Sequence, residues 1–206
     1  MTSSRTFALF DFDGVIANSF ALACEIALTE FPELTETSYR KLFEGNIYDA
    51  IAPLKRAPGV PEFFDAFVPR MKNEVHCFAG IPQVLEQLAS EHTLIVVSST
   101  ISLPINTFLE DNDLARFFSD VMGADVHTSK VEKMRMVFGK YETDASHCVF
   151  ITDTLGDMRE AKEHELGVIA CSWGTHDRAT LERGIPSRII DQPSELPDAV
   201  DDYFSR

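Results

Sequence analysis

Three short apolar runs, each stopping at a hydroxyl or a carboxylate, constrain this chain more than any other feature. Thr6 to Phe10 (TFALF) ends at Asp11, Leu94 to Val97 (LIVV) at Ser98, and Cys148 to Ile151 (CVFI) at Thr152 and Asp153. Short runs without polar alternation read as strands covered on both faces, the habit of parallel sheets. Gly167 to Cys171 (GVIAC) and Arg188 to Ile190 (RII) are further candidates. Helical patterns lie between them. Ile81, Val84, Leu85 and Leu88 recur at helical spacing, as do Val131, Met134 and Phe138. The latter stripe follows Ser129-Lys130-Val131-Glu132, which has the form of a capping box. Alternation of strands and helices from Gly80 to Phe204 predicts an α/β fold, a parallel sheet with helices on both faces.

The stretch from Ala17 to Phe78 is too long for a simple crossover and offers no convincing strand. Phe20, Cys24, Ala27, Leu28 and Phe31 form one amphipathic stripe. Phe63, Phe64, Phe67, Met71 and Val75 form another, with a kink expected at Pro69. The expected division is a core of residues 1–16 and 79–206 and a small helical insert of residues 17–78.

A formal charge of −15 argues against a nucleic-acid partner, because no basic stripe exists to displace counterions. An anionic substrate then needs local positive charge for its capture. No apolar run is long enough to cross a bilayer, and Met1 to Thr6 lacks a signal-peptide pattern, so a cytoplasmic protein without membrane contact is expected. Acidity and size favour a monomer. The four cysteines form no C-x-x-C pair and read as reduced thiols; the six histidines show no ligand spacing.

Open parallel sheets bind ligands beyond the carboxyl ends of their strands. Side chains alternate along a strand, so Asp11 and Asp13 should leave the sheet on the same side, with Gly14 turning the chain. Paired carboxylates repel unless a cation or a proton intervenes. A helix starting near Thr154 would set Asp153 and Asp157 about one turn apart, although helix capping accounts for such acids equally well. Together the four acids make a set of oxygen ligands suited to magnesium. Ser98, Ser99 and Thr100 offer hydroxyls and N–H groups to phosphate oxygens. Lys130 opposes its helix dipole, and Lys133 is a rival one turn on.

In order and spacing these residues resemble the four motifs of the haloacid dehalogenase-like superfamily. Asp11-Phe12-Asp13-Gly14-Val15 is similar to its first motif, Ser98 to the second, Lys130 to the third, and Asp153 with Asp157 to the fourth. Met158-Arg159-Glu160-Ala161 and Ser172-Trp173-Gly174 resemble the phosphoglycolate-phosphatase-like branch. Two positions depart: Thr152 stands where glycine is usual, and Lys130-Val131-Glu132-Lys133 replaces a Lys-Pro pattern, which leaves Lys130 and Lys133 both open.

The resemblance implies a Rossmann-like three-layer core with a helical cap inserted after the first strand. It implies a phosphatase acting on a small-molecule phosphate monoester with Mg2+. Asp11 would be the nucleophile that becomes an aspartyl-phosphate, and Asp13 the acid and then the base. The ion would be held by Asp11, the Asp13 carbonyl and Asp153, with Asp157 on an associated water; Ser98, Ser99 and Lys130 would bind phosphoryl oxygens. Asp13 disfavours a dehalogenase, since halide needs no proton on leaving. A phosphonate hydrolase would need a cap lysine such as Lys41, Lys55 or Lys72. A sugar-phosphate mutase of the beta-phosphoglucomutase kind uses the same motifs, and a silent binding protein could keep the fold. Asn46 lies where such caps place a specificity loop, and Arg56 and Arg70 are candidate contacts for a second anion.

Overall fold

The structure, a computed structural model, describes residues 5–53 and 63–205. Lys55 and Arg56 lie outside the described residues.

Six parallel strands form one sheet in the order β3-β2-β1-β4-β5-β6. They are β1 (Phe7–Phe10), β2 (Thr93–Val97), β3 (Phe118–Met122), β4 (Cys148–Thr152), β5 (Gly167–Cys171) and β6 (Arg188–Ile190). Every residue of β1, β2 and β4 is buried, which is why these strands read as unbroken apolar runs. β3 was not foreseen. It is an edge strand, half-exposed, and its Ser119 and Asp120 break the apolar pattern.

Between β1 and Ile81 the described residues form four helices: α1 (Phe20–Glu30), α2 (Glu36–Leu42), α3 (Ile47–Ile51) and α4 (Phe63–Glu74). α5 (Ile81–Ala89) then leads into the sheet. α6 (Ser102–Asp111), α7 (Lys130–Tyr141), α8 (Leu155–Lys162), α9 (Arg178–Glu182) and α10 (Leu196–Phe204) follow. One face of the sheet, with Ala8 and Phe10, packs on α5, α6 and α10 through Leu85, Ile105 and Val200. The other, with Phe7 and Leu9, packs on α7, α8 and α9 through Met134, Met158 and Leu181. A chain with helices on both sides of a parallel sheet has the α/β, Rossmann-like architecture expected.

Helices α1 to α4 are only partly joined to this sandwich. Cys24, Ala27 and Tyr39 form a small cluster of their own, with Phe20, Leu34 and Phe43 against it. Leu22 and Ile26 of α1 and Phe67 and Met71 of α4 join the main core. Helix α4 runs on through Pro69, whose missing N–H leaves the Asp65 carbonyl without its usual helical donor. Between β1 and α5 the described residues add only isolated bridges, Asp13 to Ala17 and Ala17 to Cys77. All four cysteines are free thiols. No helix among the described residues is long and apolar enough to cross a membrane.

Candidate active site

The strand order reverses between β1 and β4, and the crevice beyond their carboxyl ends is where open α/β sheets bind ligands. Phe10 pairs with Ile151, and the Asp11 N–H donates to the Ile151 carbonyl at 2.9 Å. Asp11 and Asp153 therefore emerge side by side from adjacent strands, at the same end of the sheet.

Beyond β1 the chain turns through Gly14, at φ 76°. A Cβ at that position would collide with the Asp153 carboxylate. Asp153 is fully buried; its Oδ2 accepts the Thr175 N–H at 2.6 Å, while its Oδ1 has no hydrogen-bond partner. Burial, only partly offset by the Thr175 N–H, pushes its carboxyl up to about 7. An orphaned buried carboxylate oxygen needs a proton or a cation.

Lys130, the first residue of α7, places its Nζ 2.8 Å from Asp11 Oδ1 and 2.6 Å from Asp157 Oδ2. Ser129 caps that helix by accepting the Glu132 N–H, as the capping-box pattern predicts. Burial works against the ammonium, but Asp11 and Asp157 outweigh it and hold Lys130 charged. Burial likewise raises Asp11 well above the usual carboxylate range, with Lys130 opposing and Asp157 and Asp153 adding to the rise. For Asp157 burial also acts upward, yet Lys130 and the Thr152 hydroxyl at 2.6 Å prevail and its carboxyl is lowered. Thr152, the departure from the usual glycine, thus supports Asp157.

Asp13 faces another set of partners. Its Oδ1 accepts the Ser19 hydroxyl at 2.6 Å and its Oδ2 the Thr100 hydroxyl at 2.7 Å. Burial raises its carboxyl against both hydrogen bonds. Two hydroxyls, rather than the Lys130 ammonium, thus hold its side chain.

Lys133 is also buried, but its Nζ donates to the Ser98 carbonyl at 2.5 Å, and burial, with Lys130 nearby, lowers it to about 8. Asp11, Asp13, Ser99, Thr100, Lys130 and Asp157 line the base of a cavity of about 280 Å³, whereas Lys133 and Ser98 do not. Ser98 is fully buried, and its Oγ accepts the Thr100 N–H at 3.0 Å.

Asn46 lies outside the cavity lining as well. It caps α3 by accepting the Tyr48 and Asp49 N–H groups, and its Nδ2 donates to Glu160 at 3.0 Å and to the Thr128 carbonyl at 3.3 Å. Arg70 bonds Glu25 and Glu74 on the outer surface of α1 and α4.

The family model for haloacid dehalogenase-like hydrolases matches residues 8–171. The chain belongs to the haloacid dehalogenase-like hydrolase family. A phosphoglycolate phosphatase of Synechococcus elongatus is 24% identical over 205 residues, spanning 93% of this chain and 95% of its own length. One of Vibrio parahaemolyticus is 24% identical over 216 residues, covering 93% and 94%. Among solved structures, a haloacid dehalogenase-like hydrolase from Streptococcus pneumoniae superposes with a TM-score of 0.78 at 20% identity, over 97% of this chain and all (100%) of that one. A hydrolase from Pseudomonas syringae gives 0.79 at 18%, over 96% and 99%.

Around this haloacid dehalogenase-like site Ser19, Thr175 and His176 have no counterpart in the sequence reading, and Thr100, expected to face phosphate oxygens, instead holds Asp13. Ser19 and Thr100 hold Asp13 across sequence separations of 6 and 87 residues. Thr175 supports Asp153, and His176 next to it links two layers of the molecule. His176 Nδ1 accepts the Leu155 N–H at 3.0 Å, so Nε2 carries the proton and donates to the Arg40 carbonyl at 3.0 Å. Arg40 in turn donates to the Thr175 carbonyl. Nothing in the local sequence marks Ser19, Thr175 or His176; Ser172-Trp173-Gly174 points to the segment of the last two but not to the atoms.

Proposed function

We propose that this chain is a Mg2+-dependent phosphatase that cleaves a small-molecule phosphate monoester through an aspartyl-phosphate on Asp11. The observation that carries the reading is the Lys130 ammonium clamped between Asp11 and Asp157, with Asp13 on the same cavity and the unpartnered Asp153 Oδ1 beside them. Buried carboxylates outnumbering their one ammonium suit a hard, oxygen-liganded cation. Asp11, Asp153 and the Asp13 carbonyl would hold Mg2+, which when bound neutralises charge on the phosphoryl group.

Asp11 supplies the attacking oxygen; the ester P–O bond breaks as the Asp11–phosphorus bond forms. Asp13, whose carboxyl is raised by burial, gives its proton to the leaving oxygen. It then takes a proton from the water that attacks phosphorus, and inorganic phosphate leaves as Asp11 is regenerated. Lys130 and the Ser99 N–H stabilise the phosphoryl oxygens, so the chain contributes mainly positioning and charge.

Phosphoglycolate, in the name of both relatives, is the natural first ester to assay, beside a generic aryl phosphate. Chelation should abolish turnover and Mg2+ restore it, and full activity in excess chelator would refute the metal role. Asp11→Asn should lower kcat by at least about a thousandfold with the fold retained by circular dichroism; a loss of only a few-fold removes Asp11 as nucleophile. Free phosphate as product, rather than an isomeric ester, separates this reading from a mutase.

A further inference from the structure

Above its charged base the cavity is apolar. Phe20, Phe31, Phe43, Phe63, Phe64 and Phe67 line it. Phe63 stacks on Phe67 with ring centroids 5.3 Å apart, and Phe64 meets Phe63 edge-on at 5.5 Å. Leu34, Leu42, Ile47 and Ile51 fill the wall between the rings. Among the described lining residues, charge is confined to a few groups. Among the described residues lining the cavity, Lys130 is the one cation, and Asp11 and Asp157 already hold it. The other charged groups are the carboxylates of Asp11, Asp13, Asp157, Glu160 and Glu30. Arg40 is engaged elsewhere: its guanidinium lies 4.0 Å from the Phe20 centroid, pairs with Glu36 at 2.7 Å and donates to the Thr175 carbonyl.

We propose that the ester taken here carries an apolar, preferably aromatic, group of one or two rings. The proposal rests on the phosphatase reading above. A carboxylate or second phosphate on the substrate would lose its water on entering this chamber, meet no cation among the described lining residues, and face Glu30 and Glu160. An aryl group gains from leaving water and finds ring partners in the favoured edge and stacked geometries. The cavity, about 280 Å³, lies near the small end of ligand sites, which begin at about 300 Å³, and so suits a compact group.

The test is steady-state hydrolysis by the intact protein with Mg2+, comparing 1-naphthyl phosphate with 2-phosphoglycolate. The expected kcat/KM ratio is about a hundredfold in favour of the naphthyl ester, the effect of burying roughly 100 Å² of apolar surface. A ratio of one or below, with both esters hydrolysed, overturns the proposal and leaves the phosphatase reading intact. Release of phosphate from neither ester overturns that reading and this proposal together. A second arm uses Leu34→Arg, which sets a cation in the half-exposed part of the wall. Its ratio should fall about tenfold, mainly through KM, as a desolvated aryl site gains charge; a folded variant with an unchanged ratio also overturns the proposal.

Discussion

The floor and the roof of the cavity are built on opposite principles. In the floor, Asp11, Lys130 and Asp157 are buried charges tied to one another at 2.6 to 2.8 Å, and Thr152 and Thr175 support the carboxylates. In the roof, α1, α2 and α4 present rings whose geometry comes from packing, with centroids 5.3 to 5.9 Å apart. Charge–charge geometry tolerates little change, because each buried ion depends on its partner. Apolar packing tolerates exchange of residues of similar volume. The difference teaches where this chain can vary: the charged strand ends tolerate little substitution, and the apolar helices above them tolerate more.

The contrast can be broken most directly at Lys130. Replacing it with methionine keeps much of the volume but leaves Asp11 and Asp157 buried without their cation. Lys130→Met should cost about 3 kcal/mol or more in a denaturant titration and lower kcat by about a hundredfold or more. A variant as stable and active as the parent would mean that the floor does not depend on its charges.

The seam between the regions comes next. The Gly156 N–H donates to the Phe43 carbonyl at 2.9 Å, and a Cβ there would strike the backbone of Phe43 and Gly45. Helix propensity alone would favour Gly156→Ala by about 1 kcal/mol. The close approach predicts the reverse, with kcat/KM reduced about tenfold as the roof is displaced. A raised melting temperature with unaltered kinetics would show that the layers do not need this contact.

A pH series sharpens the account of the floor. The folded chain keeps a proton on Asp153 up to about 7, whereas an ordinary aspartate releases it at 3.8. Folded protein thus binds more protons across that window, so without divalent cation this group makes stability fall as pH rises from 3.8 to about 7. Asp11 and Asp13, also raised, act with the same sign; Asp157, lowered, acts against them. Melting temperatures should show a shallower slope in Asp153→Asn, and an unchanged slope would remove this carboxyl as a contributor.

The smallest effect is expected at Asn46, whose oxygen caps α3. Asn46→Ala should cost about 1 kcal/mol. A KM raised tenfold at unchanged stability would instead return Asn46 to the substrate.

What could be read in advance follows the same boundary. Asp11, Asp153 and Asp157 were legible because each follows an apolar strand at a fixed offset, so local periodicity dictates where they emerge. β3 was not, since an edge strand with Ser119 and Asp120 has no such signature. The rivalry of Lys130 and Lys133 could not be resolved from spacing. Both are buried, and only the position of α7 against β2 sends Lys133 to the Ser98 carbonyl and Lys130 to the acids. Ser19 and Thr175 act through tertiary contacts, and hydroxyls are too common in sequence to be singled out; Thr100 was marked by its strand end, but not its bond to Asp13.

The bonds joining Arg40 to Thr175 and His176 carry a mechanical implication. Thr175 is also the donor that steadies Asp153. Lifting α2 away from the sheet would pull on the same short loop that keeps this carboxylate in place.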